Sequence, residues 1–139
     1  MRRGVVARFL QDNRVVKGYT HDFFPTKDLF HIERIDAPTQ EVLEAIPVRH
    51  LKAIFFVKSF EGNPEHREAP RDKPPEGIIG KKVEIEFLDG EKITAICQSY
   101  SPTKQGFFAF PLDPESNNEK IFVVNSSVKR ITFLEDRRK

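Results

Sequence analysis

The chain contains itself twice. Pro25-Thr26-Lys27 and Pro102-Thr103-Lys104 lie 77 positions apart, and the same offset carries Asp12 onto Asp89, Phe30 onto Phe107 and Asp36 onto Asp113. It also carries Lys52 onto Lys129, Ile54 onto Ile131 and Phe56 onto Phe133. No gap is needed from Asp12 to Val57, and dropping one residue near Gln11 brings Phe9-Leu10 onto Phe87-Leu88. Where identity is lost the apolar class is kept, as at Val16/Ile93, Phe23/Tyr100, Ile35/Leu112 and Leu51/Val128. A two-copy repeat makes two similar modules, not a solenoid. The fold must therefore be one that a segment of some 55 residues builds twice, and a segment that small buries only about 60% of its unfolded surface. Thirteen Phe in a chain without Trp and with two Tyr help to offset that shortfall, since each buried Phe contributes about 1.5–3 kcal/mol.

The second copy reads most clearly. In "KKVEIEFLDGEKITAI", Val83, Ile85 and Phe87 alternate with Glu84 and Glu86, the period-two pattern of a half-buried strand. Asp89-Gly90 predicts a type I′ hairpin, because both central positions of that turn need positive φ. A long strand from Glu91 to about Tyr100 follows, then the "SPTKQG" turn, a third strand from Gly106 to Leu112, and a polar loop. "IFVVN" is the fourth strand, "SSV" has the length of one 3₁₀ turn, and "KRITFL" is the fifth. The first copy fits the same string: Val5–Leu10, Arg14–Phe23, Leu29–Ile35, about Val42–Pro47 and Leu51–Val57. Its fourth strand is ambiguous, since "TQEVLEAIPV" reads equally as a helical turn. Gly18 and Ala95 occupy the same point of the two second strands, where a small barrel bends sharply and favours small residues. The predicted fold is all-β: two tandem five-stranded SH3-like or Sm-like small barrels, at 1–60 and 80–139. Residues 61–79, with Pro64, Pro70, Pro74 and Pro75 among mixed charges, read as a linker.

The totals narrow the chemistry. A net charge of +2 and a pI near 8.7 do not demand a polyanionic partner. No run of 18 apolar residues marks a membrane span, and "MRRGVVARFL" lacks the apolar stretch of a signal peptide. The single cysteine, Cys97, excludes an internal disulfide framework and suits a reducing bacterial cytoplasm. No P-loop, GxGxxG, GxSxG or HExxH occurs, so the chain reads as a non-enzyme without cofactors. His21 and His31 facing each other across a hairpin make at most two metal ligands, short of the four a structural site uses, and no metal is expected.

What recurs on polar positions supplies the candidate sites. The turn tips Pro25, Thr26, Lys27 and Pro102, Thr103, Lys104 are candidate binding residues. Lys52, Lys129 and Arg130 are candidate basic contacts, although recurrent lysines at turn tips and strand starts also serve solubility and edge protection. Alternation places Ile54 and Phe56 in the first core, so Phe55 and Val57 point outward; on the third strand of the second copy, Phe108 and Phe110 oppose Phe107 and Ala109. A strand wet on one side is polar there. Phe55, Val57, Phe108 and Phe110 are therefore the candidate interface between the modules, with a second copy of the chain, or with a partner.

"VVKGYTHDFFPTKDLFHI" and "LKAIFFVKSFEGNPEHR", with "NNEKIFVVNSSVKRITFL", resemble a family of uncharacterised bacterial proteins. Its members carry KGYT followed by LKAxFFVxxFEGNP, and related modules occur alongside PilZ domains. The resemblance covers nearly the whole chain, names no activity, and implies a signalling neighbourhood. The PilZ ligand motifs, RxxxR and D/NxSxxG, are absent. The strand order of the second copy is also similar to the Sm-like fold of bacterial RNA chaperones, without their N-terminal helix or their Asp-x-x-h-Asn loop. The resulting expectation is a cytoplasmic, non-catalytic binding or adaptor module, with a protein partner first and homo-oligomerisation open. The alternative is an Sm-like protein binding single-stranded nucleic acid.

Overall fold

Period-two alternation and tight turns divide the chain into ten strands. A computed structural model describes residues 2–36, 43–61, 80–113 and 115–134. The first repeat forms β1 (Arg3–Phe9), β2 (Val15–Thr20), β3 (Leu29–Arg34), β4 (Leu43–Pro47) and β5 (Leu51–Val57). The second forms β6 (Lys81–Phe87), β7 (Lys92–Cys97), β8 (Gly106–Pro111), β9 (Asn118–Val124) and β10 (Val128–Phe133). One 3₁₀ turn precedes the last strand of each repeat, at Val48–His50 and Asn125–Ser127. No α-helix occurs among the described residues. The ambiguous fourth segment is a strand from Leu43 onward, and the proposed linker falls almost wholly outside the described residues.

Local chemistry explains where the strands turn. In the β6–β7 hairpin only Gly90 takes a positive φ, 95°, and its N–H donates to Phe87 O at 2.9 Å. That is a type I turn completed by a left-handed glycine, not the expected type I′ pair. The pair of left-handed residues lies in the β1–β2 hairpin, at Asp12 (φ 74°) and Asn13 (φ 53°), the residue types that tolerate it best. Gly18 is where β2 meets β3: a Cβ there would lie 2.1 Å from Glu33 O, so no larger residue fits that approach. β2 ends at Thr20 rather than Phe23. Just beyond it, the His31 N–H donates at 2.9 Å to the Asp22 carboxylate instead of to a strand carbonyl.

The all-β expectation holds, and the two repeats are joined in one sheet rather than lying in two. All ten strands form one open antiparallel sheet in the order β10-β6-β7-β8-β9-β5-β1-β2-β3-β4. Each repeat keeps its own order, the fifth strand beside the first and then a meander, but the repeats fuse where β5 pairs with β9. There Ala53 lies opposite Val123, Ile54 opposite Phe122 and Phe55 opposite Ile121.

The seam explains the surplus of phenylalanine. Ile54, Phe56, Phe122 and Val124 join Val5, Val16, Phe30 and Ile46 in one core. From the opposite faces of the same two strands, Ala53, Ile121 and Val123 join Val83, Ile85, Phe87 and Phe107 in the other. β5 and the Ile121–Val124 stretch of β9 are therefore packed on both faces, as strands inside a two-sided sheet are. Each repeat completes the core of the other.

Candidate functional site

The two Pro-Thr-Lys segments form the same turn. Lys27 N donates to Phe24 O at 3.0 Å, and Lys104 N to Ser101 O at 3.4 Å. Proline, with φ near −65°, suits the second position of such a turn. Behind each turn the backbone repeats one further bond: Val48 N to Asp28 O at 3.0 Å, and Asn125 N to Gln105 O at 2.8 Å. The side chains then diverge. Asn125 Nδ2 donates to Ser101 O (2.9 Å) and Lys104 O (2.7 Å), closing the second turn from within its own repeat. Val48 has no donor to offer the first. Gln105 supplies it across the seam, its Nε2 donating to Pro25 O (2.7 Å) and Lys27 O (2.6 Å).

That glutamine places two turns, distant in sequence, side by side. Pro25, Thr26 and Lys27 and their counterparts Pro102, Thr103 and Lys104 are all exposed, on backbone carbonyls that are hydrogen-bonded. Phe24 is 53% exposed beside them, with Lys27 Nζ 5.7 Å from its ring centroid. A rigid surface with two cations and an aromatic face can grip a partner without losing much loop entropy. Gln105 was not among the residues singled out from sequence. Its signal was a difference, since Asp28 stands at the equivalent place and a carboxylate cannot donate to a carbonyl.

The remaining candidates separate. Lys52 is buried, with Nζ 2.8 Å from Asp89 Oδ2, also bonded to Glu91, and 4.7 Å from the Phe87 ring centroid. Its charge locks the first repeat onto the β6–β7 hairpin, so it is not a surface contact. The hydrogen bond from Lys52, then that from the Glu91 N–H, holds the Asp89 carboxyl below its ordinary value. Lys129 remains exposed at 3.9 Å from Glu86, and Arg130 is exposed on the edge strand. Phe55 packs against the second core and Phe108 against the first, with the Phe108 ring 5.2 Å from Phe122. Val57 is half-buried in β5, opposite Asn118, and Phe110 is half-buried opposite Ile96.

His31 does not face His21. Its Nδ1 lies 2.8 Å from Asp22 Oδ2, while Thr20 Oγ1 donates to Asp22 Oδ1 at 3.2 Å and His21 is exposed. Partial burial raises the Asp22 carboxyl, but the bonds from His31 and Thr20 outweigh it and leave Asp22 below its ordinary value. Cys97 is buried, and that burial pushes its thiol up, away from nucleophilic character. Among the described residues no three His, Cys, Asp or Glu side chains gather as a metal site, and no helix is long and apolar enough to cross a membrane.

The family model for DUF6982, a family of unknown function, matches residues 1–135. The chain belongs to that family. No curated protein and no solved structure matches it. The match runs through both repeats.

Proposed function

We propose that this DUF6982 member is a non-catalytic binding or adaptor module of the bacterial cytoplasm, engaged by a protein partner at the joined Pro-Thr-Lys turns. The observation that carries this reading is Gln105. It donates from its amide to two carbonyls of the other repeat's turn, which holds the two turns together as one surface. The exposed pair Lys27 and Lys104, with the exposed Phe24 ring beside Lys27, offers the mixture of charge and aromatic area that partner surfaces use. Each half is read as an opened variant of the small SH3-like or Sm-like barrel, supported by the strand orders β5-β1-β2-β3-β4 and β10-β6-β7-β8-β9 and by the 3₁₀ turn before the last strand. The likeness to modules that accompany PilZ domains supports a place in signalling.

The test is capture from a bacterial lysate, with and without nuclease treatment, by the wild type and by the Lys27→Glu/Lys104→Glu double variant. Proteins retained by the wild type and lost from the variant are expected. If both retain the same proteins equally, the turn tips are not the docking surface. If capture vanishes with nuclease and weakens steeply between about 50 and 200 mM salt, phosphate contacts carry it and the nucleic-acid reading replaces this one.

A further inference from the structure

A second feature of the seam lies apart from the turn tips. Lys120 of β9 is directly opposite Phe56 of β5, and Phe56 is opposite Val5 of β1. Side chains two apart on a strand share a face, which puts Arg3 on the same side as Val5 and Phe56. The result is two cations on one ring: Arg3 Cζ is 5.1 Å and Lys120 Nζ 5.2 Å from the Phe56 centroid. Lys120 also lies 4.6 Å from the Phe108 centroid. Half-buried Phe23 completes the rim, 5.7 Å from Phe56 and 5.0 Å from Phe122.

Ring stacking accommodates both cations, Arg3 over Phe56 and Lys120 over Phe108, but nothing in it offsets the repulsion between their charges. Arg3 and Lys120 are half-buried and neither has a carboxylate partner among the described residues, whereas the buried Lys52 has two. Burial, and then the charge of Arg3, lowers the Lys120 ammonium from its ordinary value, and Glu119 only partly opposes this. The cluster is also peculiar to the seam. Arg3, Phe23 and Phe56 come from the first repeat, and Phe108 and Lys120 from the second. The equivalent place in the second repeat has Lys81, Tyr100 and Phe133, but among the described residues β10 is an edge strand with no second neighbour to supply the other half.

We propose that Arg3 and Lys120 hold the phosphate of a nucleotide unit whose base stacks on the Phe23–Phe108 rim. Guanidinium offers a planar two-donor fork to phosphate oxygens and ammonium a point charge beside it. The half-buried Phe23 and Phe108 rings leave part of their aromatic surface at the rim, and a base of any kind can stack on such surface. A free nucleotide and one residue of a single strand present the same chemistry. The inference does not rest on the turn-tip reading, since none of its residues belongs to the Pro-Thr-Lys turns.

The test is equilibrium binding of AMP, ribose 5-phosphate and a single-stranded oligoadenylate of about ten nucleotides to the full chain. AMP is expected to bind saturably and more tightly than ribose 5-phosphate. Arg3→Gln and Lys120→Met should each weaken AMP by about tenfold or more, while Lys120→Arg stays near wild type. Phe108→Leu should weaken AMP without affecting ribose 5-phosphate, and Lys27→Glu/Lys104→Glu should leave AMP unchanged. Tighter binding of the oligoadenylate than of AMP assigns the site to a strand, and equal binding assigns it to a free nucleotide. Absence of saturable binding by any probe overturns the proposal. So does undiminished binding by Lys120→Met at an unchanged melting temperature, the variant that keeps the stem on its rings if Arg3→Gln fails to fold.

Discussion

Lys52 shows how far one position can diverge from its duplicate. Lys129 descends from the same ancestral residue and lies in water, whereas Lys52 is 4% exposed and bound to Asp89 and Glu91. A buried ion is tolerated only while its partners remain. Lys52→Met, which keeps the stem against Phe87, is expected to change stability by no more than about 1 kcal/mol. Asp89→Ala with Glu91→Ala, which strands the ammonium, should cost about 2–4 kcal/mol, reduced because both carboxylates are partly in water; urea unfolding measures both. The pH dependence follows from Asp89, whose folded value lies below the ordinary 3.8. Its contribution is complete above that value and is lost as pH falls through the lowered one. Melting temperatures of wild type and Lys52→Met should therefore converge as pH is taken from about 5 towards 2. A constant difference across that range would show that the Lys52–Asp89 bond contributes nothing.

At the scale of elements, the central strands decide the molecule. "LKAIFFV" and "KIFVV" are almost continuously apolar, a pattern that suits a strand buried on both sides. Read by strict alternation, half of each strand faces water; read as a two-sided strand, it lies between two cores. Phe108 is the sharpest probe of the difference, because it belongs to β8 of the second repeat and packs on Phe56 and Phe122 of the first core. Phe108→Asp is expected to destabilise the whole chain by about 3–5 kcal/mol. The equivalent change at His31, which already sits in a polar network with Asp22, should cost less than about 1.5 kcal/mol. Calorimetry should show a single lowered transition for Phe108→Asp. Two transitions, with only one of them lowered, would mean that the repeats unfold independently.

At the scale of the whole molecule, each repeat supplies part of the other's core. A lone first repeat loses Phe122 and Val124 from its core and bares Ala53 and Phe55; a lone second repeat loses Ala53 and bares Phe122. Residues 1–61 and 80–139 expressed separately should each fail to fold, and should regain cooperative structure when mixed, as circular dichroism and gel filtration will report. The pairing of a fifth strand with a fourth strand is head-to-tail, and such contacts propagate unless something ends them. The free ends of the sheet are the duplicates of the seam strands. Ala53 and Phe55 correspond to Arg130 and Thr132 on β10, and Ile121 and Phe122 to Glu44 and Ala45 on β4. Glu44 is already committed to Arg14 at 2.6 Å. Charge at a sheet edge prevents further pairing, and the wild type should sediment as a monomer. Arg130→Ala/Thr132→Phe/Glu44→Ile/Ala45→Phe, which writes seam residues into both edges, should produce concentration-dependent chains or rings. Failure of that variant to associate would place the stop elsewhere.

Nine of the ten strands, the 3₁₀ turn of the second copy and the small residue at Gly18 were legible in local pattern, while "TQEVLEAIPV" suited a strand and a helical turn alike. Turn type was less legible, because Asp89-Gly90 and Asp12-Asn13 both suit a hairpin and the number of loop residues selects between solutions. Which repeats pair, and by which strands, depends on faces meeting across more than sixty residues of chain, as between Phe55 and Ile121. Alternation assigns each side chain to a face but cannot say what lies beyond that face. Only the assembled sheet brought Gln105 to Pro25, Lys52 to Asp89, and Lys120 to Arg3. Each of these contacts crosses the seam between residues whose duplicates have no such partner, so the repeat that revealed the fold also concealed what the two copies do together.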